Sequence, residues 1–164
     1  MVESIQFRDA MSRLAAAVNV ITTDGPVGRR GFTASAVCSV TDDPPTLLLC
    51  VNRTAGSNAI LKANGVLCIN VLAERHTALS ALFASRESTS EERFADTAAW
   101  TTLVTGAPVL RDATAAIDCR IAQVQEVGTH SVFFCEVQAT HLADSREGLI
   151  YFDRTYHPVG SAAA

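Results

Sequence analysis

The sequence predicts a mainly β fold, an antiparallel barrel with peripheral helices, on three observations. Six or seven runs of strand length carry β-type residues, several with apolar residues alternating against small or polar ones. Most of these runs are joined by turn signals at hairpin distance, such as Asp24-Gly25-Pro26 and Glu126-Val127-Gly128. The helical patterns are grouped and do not alternate with strands, which disfavours a parallel α/β sheet.

Composition narrows the function classes. The 164 residues are 48% hydrophobic, enough for one domain over residues 1–164 to bury a core without disulfides or metals. A net charge of −4 argues against nucleic acid as a partner, since that calls for a basic face. No apolar run reaches the length of a membrane span, and the first residues carry no charged-then-apolar leader pattern, so a cytoplasmic protein with no membrane partner is expected. Cys38, Cys50, Cys68, Cys119 and Cys135 are odd in number, form no Cys-x-x-Cys pair and lie in strand-like runs. They read as reduced, small hydrophobic residues, neither metal ligands nor nucleophiles.

In chain order, Phe7, Met11, Leu14 and Val18 recur at helical spacing after Ser4, and Val18–Thr23 then reads as a strand. The run Gly31–Val40 alternates next, closed by Thr41-Asp42-Asp43-Pro44-Pro45. Phe32, Ala34, Ala36, Cys38 and Val40 share one face, with Gly31, Thr33, Ser35 and Ser39 on the other. That second face is small and hydroxyl-bearing. It fits either a strand with one wet side or a shelf on which something flat lies against the backbone.

Thr46–Val51 is apolar on both faces and reads as a central strand. The polar loop Asn52–Asn58 leads to a short helix, Ala59–Ala63, with Ser57 or Asn58 as its cap and Asn64-Gly65 as its stop. Val66–Leu72 is a strand, Leu79, Leu82 and Phe83 mark a helix, and Ser88-x-x-Glu91 reads as a capping box. Ala115–Gln125 and Ser131–Ala139 form a hairpin, and Leu149–Phe152 is the last strand. Beyond the Ala162–Ala164 tail there is no low-complexity segment.

The chain has no Gly-x-Ser-x-Gly elbow, Walker loop or His-Glu-x-x-His motif, and Gly25, Gly28 and Gly31 lack the dinucleotide-fingerprint spacing. Any nucleotide bound here does not use a Rossmann crevice. Polar clusters remain at strand ends: Thr33/Ser35, Asn52–Asn58, Glu92-Arg93-Phe94, Gly128-Thr129-His130 and Tyr151 with Tyr156-His157.

Phe7-Arg8-Asp9-Ala10-Met11, Ala17–Thr23, Gly31–Val40, Glu92-Arg93-Phe94, Val127-Gly128-Thr129-His130 and Gly148–Phe152 together carry a family resemblance. From about Phe7 to Pro158 the chain resembles the short-chain flavin reductases of two-component flavin monooxygenases. Within them it is most similar to the pyrimidine-utilisation and 4-hydroxyphenylacetate branches. The resemblance implies a split β-barrel of the FMN-binding, Greek-key type. It also implies a homodimer that reduces FMN or FAD with NADH (NADPH being the variant) and releases reduced flavin to a partner oxygenase.

The resemblance further implies residue roles. Thr33, Ala34, Ser35 and Ala36 would lie along the isoalloxazine. Asn52, Arg53, Ser57 and Asn58 would hold the phosphate at a helix N-terminus, whose free amides and dipole favour an anion. Arg93 would pair with that phosphate beside Phe94, His130 would place the nicotinamide, and Tyr156 with His157 would close the pocket. Two other readings stay open: a flavoprotein holding FMN tightly to reduce another acceptor, and a non-catalytic flavin-binding module.

Overall fold

The computed structural model describes residues 2–160, so the Ala162–Ala164 tail lies outside the described residues. Seven strands form the main sheet, in the order β3 (Arg30–Ala34), β2 (Asn19–Thr23), β6 (Val66–Val71), β9 (Ala115–Val127), β10 (His130–Leu142), β5 (Pro45–Asn52) and β4 (Val37–Asp42). Every neighbouring pair is antiparallel. The two edge strands are consecutive in the chain and are separated only by Ser35 and Ala36. A chain reaches at most about 3.3–3.6 Å per residue, so a two-residue link forces the sheet to curl until its edges stand side by side. This is a split antiparallel barrel, closed by the chain where it is not closed by a ladder.

Here the structure corrects the reading of Gly31–Val40 as one strand. The segment pairs with β2 up to Ala34 and with β5 from Val37 onward. Between them the amide of Val37 donates to the Ser35 carbonyl and that of Cys50 to the Ala36 carbonyl. The break shifts the side-chain parity by one residue. Phe32, Ala34 and then Val37 pack against the core, whereas Cys38 and Val40 are exposed.

Inside the barrel, Ile21, Leu49, Leu67, Ile69 and Phe133 meet Leu61 of helix α2 (Gly56–Asn64), which plugs one end. On the outer side of β2 and β6, Val18, Val20 and Leu72 pack under α3 (Thr77–Ala84) and α4 (Ser90–Arg93), joined by Phe83, Phe94 and Trp100. Phe83 and Phe94 meet edge to face at 5.3 Å between ring centres. Gly31 lets these rings come close. A Cβ there would stand 2.4 Å from Phe83 Cε1. Two small sheets complete the molecule, one of β7 (Trp100–Thr102) and β8 (Pro108–Leu110), the other of β1 (Ala16–Ala17), β11 (Gly148–Phe152) and β12 (Thr155–Val159).

Several boundaries differ from the sequence reading. Helix α1 (Ser4–Ser12) buries none of its residues, and Ile5, Phe7 and Met11, with Leu14 just after it, point outward. Periodicity revealed an amphipathic helix but not whether anything covers it. The α1 helix is held at its polar side, where the Asp153 amide donates to the Ser12 carbonyl at 2.6 Å and Arg154 pairs with Asp9. Helix α2 begins three residues earlier than expected, so Ser57 and Asn58 lie within its first turn and Ala55 is the residue before it. Its stop is as expected, Gly65 with φ of 70°. The capping box is Thr89 with Glu92, one residue beyond the expected pair, because Thr89 has the extended backbone a cap requires. The strand β12, absent from the sequence reading, follows a turn with positive φ at Asp153 and Arg154 and places Tyr156 in an ordinary ladder opposite Tyr151.

Candidate functional site

Where the edge strands part, the barrel opens into a cleft of about 660 Å³. Its first wall is the run Phe32–Ala36, which turns its backbone and small side chains to the opening. The facing wall is the end of β5, Cys50 to Asn52, continued by Thr54–Ser57, and the third side is Phe83–Arg86 at the end of α3.

The hydroxyls of the shelf are not all free. Thr33 Oγ1 donates to the Ser80 carbonyl at 2.7 Å, and Ser80 Oγ lies 2.9 Å from the Tyr156 hydroxyl. This chain of bonds ties β3 to α3 and β12, which fixes the height of the shelf. A hollow of about 180 Å³ adjoins it, sharing Thr33–Ser35 and bounded by Val18, Tyr151 and Tyr156. The two tyrosine rings meet edge to face at 5.5 Å.

The opposite end of the cleft is cationic. Arg93 is only 6% exposed, and donates from Nη1 to the Gly31 carbonyl at 3.0 Å and from Nη2 to the Ser85 carbonyl. Arg30 reaches the same wall, above the N-terminus of α2: its Nη2 would be 3.8 Å from a Cβ built on Gly56. The Nε atoms of Arg30 and Arg93 are both shut off from solvent and bonded to nothing among the described residues. Burial, then the Arg30 charge, hold the Arg93 guanidinium below its usual range, while Glu92 acts the other way. The first amides of α2 have no carbonyl behind them within the helix, and Ser57 adds a hydroxyl there. An unpaired cationic pair beside a helix N-terminus fits the phosphate of a flavin nucleotide, and the small-residue shelf fits its flat ring.

The structure thus brings Thr33, Ala34, Ser35, Ala36, Asn52, Ser57 and Arg93 to one cleft, and Tyr156 to the hollow beside it. It places the other candidates elsewhere. Arg53 is exposed on the far side of the Asn52–Thr54 turn, paired with Glu126 at 3.0 Å in a groove it shares with Lys62. Asn58 is buried and donates to Val51, Asn52 and Ser131, which ties α2 to β5 and β10. Phe94 is core, behind Gly31. His130 is exposed, opposite Asn52 in the ladder and one strand away from the cleft wall, with Nδ1 2.9 Å from Thr129 Oγ1. His157 is exposed and meets Phe152 edge to face at 6.0 Å.

The sequence reading missed Arg30, Cys50, Thr54, Gly56, Ser85 and Arg86 as parts of the cleft. For Arg30 there was a signal: it falls in the register of Phe32 and Ala34, so a charge sits on the apolar face of its strand. Cys50 lines the cleft with its thiol pushed up by burial, and burial likewise raises Cys68, Cys119 and Cys135. Cys38 differs, being exposed on the edge strand.

Comparison with known proteins gives this geometry a family. Residues 11–160 match the flavin reductase like domain. The FMN reductase (NADH) RutF of Pantoea ananatis is 54% identical over 158 residues, covering 96% of this chain and 82% of that protein. The protein of the same name from Ancylobacter novellus is 58% identical over 154 residues, covering 94% and 84%. Among solved structures, BorF, the flavin reductase component of a bacterial two-component tryptophan halogenase, superposes with a TM-score of 0.90 at 28% identity, covering 98% of this chain and all of that one. The NADH:FAD oxidoreductase SgcE6 of Streptomyces globisporus C-1027 gives 0.87 at 27% identity, covering 98% of each chain. A shelf without a catalytic side chain, a phosphate-sized cationic end and these relatives lead to one conclusion: the chain belongs to the flavin reductase like domain family.

Proposed function

We propose that this chain is an NADH-dependent FMN reductase that hands free reduced flavin to a flavin-dependent oxygenase. The observation that carries the reading is the cleft itself, with small residues and amides at one end and two uncompensated guanidiniums at the other. A flavin ring seated on Thr33–Ala36 would supply the hydride-accepting chemistry itself, so no protein nucleophile would be required. The chain's part is to hold the reacting atoms within about 3–3.5 Å of each other and to exclude competing water. Ser35 and Ala36 offer the seat, Thr33 and Tyr156 fix its height through Ser80, and Arg93 anchors the phosphate. His130 is assigned to the nicotinamide, supported by its exposure and by its place opposite Asn52 in the ladder, one strand from the cleft wall.

The protein is further proposed to work as a homodimer in the cytoplasm. The uncovered apolar side chains Ile5, Phe7, Met11 and Leu14 support a partner surface, and sedimentation at micromolar concentration tests it. Steady-state NADH oxidation with and without added FMN, FAD or riboflavin tests the activity. Saturable dependence on free flavin is expected. Turnover by a yellow protein without added flavin would point to a tightly held prosthetic group, and no turnover under any condition would refute the enzyme.

A further inference from the structure

We infer that Arg30, acting with Arg93, makes the phosphate end of the cleft a reader of terminal phosphate dianions, so that this chain selects FMN over riboflavin and over FAD. The inference rests on the cleft being the flavin seat, and it adds what decides between flavins. Two guanidiniums share the wall, and among the described residues neither has a carboxylate within ion-pair distance. Arg93 donates one N–H from Nη1 and one from Nη2 to carbonyls, and its Nε and that of Arg30 are buried donors without acceptors among the described residues. Buried charged donors in that state are costly unless an anion arrives.

The size of that charge matters. A phosphomonoester loses its second proton at about pH 6 and then carries close to two negative charges, which suit the two guanidiniums whose Nε atoms are buried, with Arg86 also lining the cleft. In FAD the phosphate next to the ribityl chain is half of a pyrophosphate and carries a single charge, the second charge lying on the next phosphate, and riboflavin has no phosphate. The other charged or titratable groups facing this end are Arg86, Glu92 and the Cys50 thiol. Glu92 uses its carboxylate on the Thr89 amide, and burial raises the Cys50 thiol. The pH response of binding is assigned to the second ionisation of the phosphate ester.

The experiment is flavin titration by fluorescence, using FMN, FAD and riboflavin, with the full chain and with Arg30→Gln and Arg30→Lys. Arg30 makes no side-chain bond that holds the fold among the described residues, so its replacement should leave thermal unfolding of the flavin-free protein unchanged or slightly raised. Arg30→Gln should weaken FMN roughly 10- to 100-fold, the range expected for one charge-assisted contact, and leave riboflavin untouched. FAD should lose less than FMN, and Arg30→Lys should recover part of the FMN loss. Wild-type affinity for FMN should rise between pH 5 and pH 7.5 (roughly the titration range of the ester) and flatten in Arg30→Gln. Equal losses for all three flavins, or none, would overturn the inference. If Ser35→Leu abolishes FMN binding while Arg30→Gln does not, the seat stands and the dianion reader falls. If neither changes FMN binding, the seat falls with it.

Discussion

At Ser35 the backbone has left β3 and has not yet joined β4, so its side chain faces the opening with no ladder on either side. Leucine there would lie where the flat ring is to rest, without a core contact to disturb. Ser35→Leu should abolish flavin binding while its circular dichroism and unfolding midpoint stay near those of the parent; retained affinity would remove this segment from the site. His130 lies at the other extreme, exposed and one strand from the cleft. His130→Ala should raise KM for NADH or lower kcat with flavin affinity nearly intact, and equal loss of both would show the role misassigned. The small hydroxyl run was legible because residue size is written in the sequence. The engagement of Thr33 was not, since its acceptor, the Ser80 carbonyl, lies 47 positions away. Nor was the burial of Arg93, which depends on two carbonyls from other elements.

Elements were legible where one local signal sufficed. Gly65 stops α2 and Gly128 turns β9 into β10, both at positive φ. The break between β3 and β4 was hidden because alternation looks continuous across it, and only pairing partners reveal the parity shift. The packing of α3 on β3 was equally silent, although it explains Gly31. Gly31→Ala would drive a methyl into Phe83, which is 1% exposed and packed against Phe94 and Trp100. The expected cost is about 1–3 kcal/mol, read as a lower urea midpoint. Flavin affinity should fall with it, since the Gly31 carbonyl also receives Arg93.

For the whole molecule, the antiparallel barrel followed from strand runs and turns, whereas its closure did not, because nothing local tells that two consecutive strands lie at opposite edges of one sheet. The thiols report on that closure. Cys68, Cys119 and Cys135 are buried, with burial raising each, so they should react with a disulfide reagent only as the barrel unfolds. Cys50 should react slowly in the native state and more slowly still with FMN present, because it lines the cleft. Labelling of Cys50 that is indifferent to FMN would place the flavin elsewhere.

The two-residue link between β3 and β4 also bears on strand addition at the seam of the barrel. A barrel left open for a ligand exposes two strand edges, which is the usual invitation to strand swapping and fibril growth. An invading strand needs about 4.7–4.9 Å of lateral room on each side, and the three steps from Ala34 to Val37 span at most about 10–11 Å, so near the seam one added strand would draw the tether taut. The same short tether therefore leaves slack for a thin aromatic ligand and almost none for a polypeptide, so the opening required for binding is a poor template for strand addition.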